Sequence, residues 1–245
     1  MEVGLFIPCY VNQFYPQIGI ATLNILKKTG VNLHYPENQT CCGQPLANSG
    51  QETDAIPVYN HFVNIFSTYD YVVVPSASCA YHVRKHYDII EQTEEVVRIR
   101  KITLDLTEFL HDVIGMENIE AKFPHKVGLH QSCHGLRGLR LAQSSERVLP
   151  HFSKWENLLQ KVDGLELVKL EFPDECCGFG GTFAVQEAEV STKMGSDKIR
   201  DLIKNEVEYV TSGDMSCLMH LDGLIKREKL PLKTIHLAEI LNSKL

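Results

Sequence analysis

Eight cysteines fall into two matched sets along the chain. Cys9, the adjacent pair Cys41 and Cys42 with Gly43 behind it, and Cys79 make the first set. Cys133, the pair Cys176 and Cys177 with Gly178 behind it, and Cys217 make the second. Thiolate sulfur is a soft ligand that prefers zinc and iron–sulfur clusters to hard cations. Four thiolates per set match the ligand count of a [4Fe–4S] cluster and equally that of a tetrahedral zinc ion. All eight are therefore expected to bind a metal or cluster, whose identity the pattern leaves open. A dithiol–disulfide enzyme is a third reading, because adjacent cysteines close a strained, readily reduced ring.

Successive side chains on a strand point to opposite faces. Cys41 and Cys42 cannot both serve one site from a regular strand, so each pair is expected in a turn. Pro36 and Gly43 flank the first pair, Pro173 and Gly178 the second, and these residues bend the chain and permit positive φ. Ser76 and Asp214 lie three residues before Cys79 and Cys217. Each is a candidate oxygen ligand; the simpler reading makes Ser76 a cap and Asp214 a solvent-facing Asx-turn. His82, His130, His134 and His220 lie near the lone cysteines. They could supply a nitrogen ligand or carry a proton, or serve as ordinary hydrogen-bonded histidines. Gly178-Phe179-Gly180-Gly181 could hold a phosphate on backbone N–H groups, but it lacks the GxGxxG spacing of a dinucleotide fold. No serine triad or HExxH pattern is visible.

The elements that must position these residues repeat as well. Val3-Gly4-Leu5 leads to Cys9 as Val127-Gly128-Leu129 leads to Cys133. Tyr35-Pro36-Glu37 and Phe172-Pro173-Asp174 precede the two pairs, and Ser78-Cys79 matches Ser216-Cys217. Both halves close alike, on Leu106-Thr107-Glu108 and Leu237-Ala238-Glu239. Two repeats follow, 1–120 and 121–245, with a boundary in the polar stretch Glu117 to Pro124. Val3–Pro8, Tyr71–Pro75, Lys126–Gln131, Leu165–Leu170 and Glu208–Thr211 read as strands. Ala55–Tyr69 and Phe183–Lys204 read as helices, and Thr107 as the N-cap of a helix over Glu108–Ile114 that stops at Gly115. Alternating strands and helices predict an α/β class: tandem pseudo-symmetric repeats, each with a mainly parallel sheet flanked by helices. Lone cysteines following strands would then share the C-terminal sheet edge, where ligand sites gather.

The 245 residues are 44% hydrophobic, enough for a substantial core without covalent staples. The net charge of −7 and the absence of a basic stripe argue against nucleic acid as a partner. The N-terminus lacks the basic and apolar regions of a signal peptide, and no apolar run is long enough to span a bilayer. A soluble, cytoplasmic protein is expected, in a reducing compartment where cysteines bind metals more often than they pair.

At Cys42-Gly43-Gln44-Pro45, Pro75-Ser76-Ala77-Ser78-Cys79, Cys176-Cys177-Gly178-Phe179-Gly180-Gly181 and Asp214-Met215-Ser216-Cys217 the chain resembles the cysteine-rich CCG-domain proteins. It is most similar to the lactate utilisation protein A (LutA/YkgE) family of Fe–S oxidoreductases, over its whole length. The resemblance implies a subunit of a system oxidising L-lactate to pyruvate, with a ferredoxin-related LutB-like protein and a LutC-like protein as partners. Related domains that hold non-cubane clusters carry a fuller pattern ending in Cys-x-x-Cys. Ser76 and Asp214 replace the first of those cysteines here, which counts against the non-cubane form and leaves an ordinary cluster, a zinc ion or, in aerobically purified protein, an empty site as the expectation.

Overall fold

A computed structural model describes residues 1–244 of the chain. Eight short strands form two sheets: β1 (Glu2–Leu5), β2 (Asn32–His34), β3 (Tyr71–Val74), β4 (Thr103–Asp105), β5 (Lys126–Leu129), β6 (Glu166–Val168), β7 (Tyr209–Ser212) and β8 (Lys233–His236). The first sheet has the order β2-β1-β3-β4 and the second β6-β5-β7-β8, with every pairing parallel. Both are four-stranded parallel sheets flanked by helices, in agreement with the tandem α/β repeats expected. The chain divides into two compact units, Met1–Ile114 and the residues from Gly115 onward. Among the described residues no helix is long and apolar enough to cross a membrane.

The central strands are buried runs, as a parallel sheet covered on both faces requires. Val3, Val72, Val73 and Val74 are fully buried in the first unit, Val127 and Val210 in the second. Gly4 on β1 lets a helix approach: a Cβ there would stand 2.9 Å from the Phe66 ring. Gly128 on β5 does the same for Leu202, at 2.5 Å. Phe66 ends the helix Ile56–Phe66 and Leu202 lies in Ala188–Lys204, so these helices cover the same face of their respective sheets. Counting back one turn from each anchor, Phe62 corresponds to Lys198, and seven residues back Tyr59 corresponds to Gly195.

Several elements differ from the sequence expectation. β2, β4 and β8 span only three or four residues, too few for alternation to register. The helix expected over 183–204 is two, Phe183–Gln186 and Ala188–Lys204, broken where Glu187 leaves helical geometry at φ −118° and ψ 51°. Asp105, not Thr107, caps the helix after β4: its carboxylate accepts the Thr107 N–H at 2.8 Å. The chain then widens into a π-helical stretch, Phe109–Val113, and leaves it through Gly115 at φ +61°.

Candidate metal centre

The crossover connections of a parallel sheet return every strand in the same direction, so the residues following the strands meet at one edge. Cys9 follows β1, Cys79 follows β3 and the pair Cys41-Cys42 follows β2. Cys133, Cys217 and the pair Cys176-Cys177 follow β5, β7 and β6. Each lone cysteine lies in or beside a first helical turn. Cys9 begins Cys9–Phe14, Cys79 is third in Ala77–His86, Cys217 is third in Met215–Glu228, and Cys133 precedes the π turn His134–Gly138.

The pairs occupy loops, as expected. Gln39 fastens the first loop to the sheet edge. Its side-chain oxygen accepts the Ile7 N–H at 2.7 Å, and its amide donates to the carbonyls of Leu5 and Pro36 at 3.1 and 2.9 Å. Tyr87 donates to the Cys42 carbonyl at 3.1 Å. In the second unit the helix Ala188–Lys204 takes over this task. Asp201 accepts the N–H groups of Glu171 and Phe172, and Lys198 donates to the carbonyls of Phe172 and Pro173 at 2.8 and 3.2 Å. Gly43 and Gly178 turn the chain after each pair, both at φ +88°, a conformation that favours glycine. Their N–H groups donate to the Sγ atoms of Cys41 and Cys176, each at 3.3 Å.

In the first unit the sulfurs meet as two close pairs. Cys9 Sγ lies 3.6 Å from Cys41 Sγ, and Cys42 Sγ lies 3.4 Å from Cys79 Sγ. Cys41 and Cys42 also interact through their side chains. In the second unit Cys176 interacts with Cys133 and Cys177, and Cys177 with Cys217. Hydrogen bonds from Cys42 and Cys9, together with the Gly43 N–H, hold the Cys41 thiol well below its ordinary range despite burial. Cys133, Cys177 and the Gly178 N–H do the same for Cys176. Cys9, Cys42, Cys133 and Cys177 are pushed up, chiefly because each hydrogen-bonds to such a neighbour. A metal that takes the quartet would displace the thiol protons.

Ser76 caps the helix Ala77–His86: its Oγ accepts the Cys79 N–H at 3.4 Å and lies 3.1 Å from Ser78 Oγ. Asp214 stands at the corresponding position before Met215–Glu228 and accepts from Ser216 Oγ at 2.9 Å. It is 1% exposed, so the solvent-facing Asx-turn read from sequence is replaced by a buried carboxylate beside Cys217. His82 is buried, with Nε2 3.0 Å from Tyr59 Oη. His220 is half-buried, with Nε2 3.4 Å from the Ser191 carbonyl, and His134 is half-buried at the start of its turn.

His130 differs from these. It is 1% exposed, and neither Nδ1 nor Nε2 has a hydrogen-bond partner among the described residues. A buried polar atom left without a partner costs about 1–3 kcal/mol, so this imidazole is held at a cost. Its ligand nitrogen, Cys177 Sγ and Cys217 Sγ all lie within 4.8 Å of one another, the one such group of three among the described residues. Burial, with the nearby Lys198 charge, pushes the imidazole down to about 3 and keeps it neutral, the ligand form. Donors of this chemistry fit a thiophilic metal: sulfur from four cysteines in each unit, with one neutral nitrogen added in the second.

Lys198 was not singled out from sequence. It is fully buried, and burial lowers its affinity for a proton. The signal was present, since Lys198 falls on the buried stripe of its helix beside Ser191, Gly195, Ile199 and Leu202.

The cysteine-rich domain family CCG matches the chain twice, at residues 3–84 and 127–222. The chain is 38% identical over 246 residues to Lactate utilization protein A of Geobacillus thermodenitrificans, with 99% of each chain covered. It is 36% identical to Lactate utilization protein A 2 of Bacillus cereus and to Lactate utilization protein A 1 of Bacillus anthracis, with 98% of each chain covered.

Proposed function

Because the chain belongs to the cysteine-rich CCG-domain family and, within it, to the lactate utilization protein A proteins, we propose that it is an iron–sulfur oxidoreductase subunit of an assembly that oxidises L-lactate to pyruvate. Family membership supports a metal-binding redox role. The observation that carries the reading is the meeting of four thiols at one sheet edge in the first unit, repeated in the second. Cys9, Cys41, Cys42 and Cys79 would hold one centre, and Cys133, Cys176, Cys177 and Cys217 the other. Thiolate-ligated iron would supply one-electron transfer. The residues around it have their own tasks. Gly43 and Gly178 donate N–H groups to sulfur, Gln39 and Lys198 fix the loops, and burial of Cys42, Cys79, Cys177 and Cys217 keeps water from the sulfurs.

Lactate loses two electrons and two protons on becoming pyruvate. The sequence carries no dinucleotide fingerprint, so the subunit would work with partners, a LutB-like ferredoxin-type protein and a LutC-like protein. The isolated chain should reduce dye with lactate poorly, and addition of the partners should restore turnover. Robust lactate oxidation by the chain alone, without added flavin, would refute this.

A second reading, a zinc-stabilised structural or assembly subunit, rests on the close pairs alone: 3.6 and 3.4 Å lie near the roughly 3.8 Å between two thiolates on one tetrahedral zinc. No three of the first unit's four sulfurs lie within 4.8 Å of one another, so a zinc ion would have to draw the two pairs together. Metal analysis of anaerobically purified protein separates the two readings. Iron with acid-labile sulfide and absorption near 400 nm supports the redox subunit. Zinc without that colour supports the structural one.

A further inference from the structure

The two units match in their cysteines but not in the residue that follows each central strand. Phe6 and His130 hold equivalent places: each follows the last residue of its central strand. The Phe6 N–H donates to the Val73 carbonyl at 3.0 Å, and the His130 N–H to the Thr211 carbonyl at 2.8 Å. Val73 and Thr211 pair with Leu5 and Leu129 at the same register of the two sheets. Phe6 packs edge-on against Phe62, ring centroids 5.0 Å apart, and both rings are buried. In the second unit these positions carry His130 and Lys198, both buried and within electrostatic reach of each other. An apolar pair occupies these positions in the first unit and a nitrogen-bearing pair in the second.

The chain also leaves the two central strands differently. Pro8 precedes Cys9 in extended geometry, at φ −53° and ψ 141°. Ser132 precedes Cys133 at φ +49°, a region that a serine seldom enters and proline cannot. Its Oγ accepts the Gly135 N–H at 3.2 Å, which helps to hold the turn.

We propose that the second unit forms a mixed nitrogen–sulfur metal centre in which the His130 imidazole ligates together with Cys177 and Cys217, whereas the first unit's centre is ligated by sulfur alone. This rests on the reading that both quartets bind metal. It follows from three facts about one side chain: His130 is buried, both its nitrogens lack partners, and it stands with two sulfurs inside a 4.8 Å sphere of mutual distances.

The experiment uses the full chain grown with 15N-labelled histidine and loaded anaerobically in two ways, with iron and sulfide and with cobalt(II). Pulsed EPR then reads any histidine nitrogen bound directly to the metal, beside metal counts for both forms. The expected result is one directly bound histidine nitrogen per chain in at least one loaded form. That coupling should vanish in His130→Phe, and in His130→Gln, whose side chain is closer to the native one in polarity. It should persist in His220→Gln. Two bound centres with no histidine coupling in either form would overturn the inference while leaving the two-site reading intact. Coupling that survives in either folded His130 variant would overturn it in favour of another histidine. Should both variants fail to fold, the labelled native chain still decides the matter: a coupling supports a nitrogen ligand and its absence refutes one. Failure of the native chain to bind metal in either form would overturn both the inference and the reading beneath it.

Discussion

Replacing Gly43 by alanine perturbs the turn behind the first cysteine pair in two separable ways. At φ +88° an L-residue incurs left-handed strain, about 1–2 kcal/mol. The new Cβ would also stand 2.4 Å from the Tyr59 ring. That ring cannot swing aside. Tyr59 is fully buried, stacked on Tyr87 at a centroid distance of 4.3 Å, and bonded through its hydroxyl to His82 at 3.0 Å. Forcing an extra methyl into such a packed place typically costs about 1–3 kcal/mol, so Gly43→Ala should lose about 2–5 kcal/mol in all. Gly50 supplies the control. It has φ +77°, but a Cβ added there would meet nothing within 4 Å, so Gly50→Ala should show strain alone, roughly 1–2 kcal/mol. Urea unfolding of the metal-free variants measures both, and metal analysis should show the first centre depleted in Gly43→Ala but not in Gly50→Ala. Equal destabilisation of the two variants, within about 0.5 kcal/mol, would refute the claim that Tyr59 makes the turn glycine-specific.

Cys42→Ser should remove the metal of one centre and leave the other filled, as read by metal content per chain. Lys198→Met strips hydrogen bonds from the carbonyls of Phe172 and Pro173, so it should cost roughly 1.5–3 kcal/mol and speed amide exchange in residues 174–177. Burial raises the Glu239 carboxyl above its ordinary 4.5, against the hydrogen bond from the His236 N–H. The folded state therefore keeps that proton to higher pH than the unfolded chain, and this group's contribution weakens the fold as pH rises from 4.5 through the raised value. Glu239→Gln lacks the ionisation, so its stability relative to the native chain should climb over that window and level off above it, as urea midpoints between acid and neutral pH would show.

The sequence by itself disclosed the repeat, the parallel α/β class and the turns that carry the cysteine pairs. Each of these is a local statement. Buried runs such as Tyr71–Val74 write a central strand into consecutive residues. Adjacent cysteines cannot share a site from a strand, and a glycine behind them permits the positive φ that both turns use. Short edge elements escaped because three residues, such as Asn32–His34 with its mixed burial, carry no periodicity. Two buried ionisable side chains were beyond reach for another reason. His130 read as one histidine among several, and Lys198 as one lysine among many on a polar helix. Only the tertiary structure decides that the imidazole of one has no hydrogen-bond partner among the described residues beside Cys177 and Cys217, and that the other is sealed beneath the loop it fastens. Parallel crossovers bring residues 130, 177, 198 and 217 to one sheet edge from distant stretches of chain. Burial and missing partners belong to that assembly of neighbours, and no single stretch of sequence contains them.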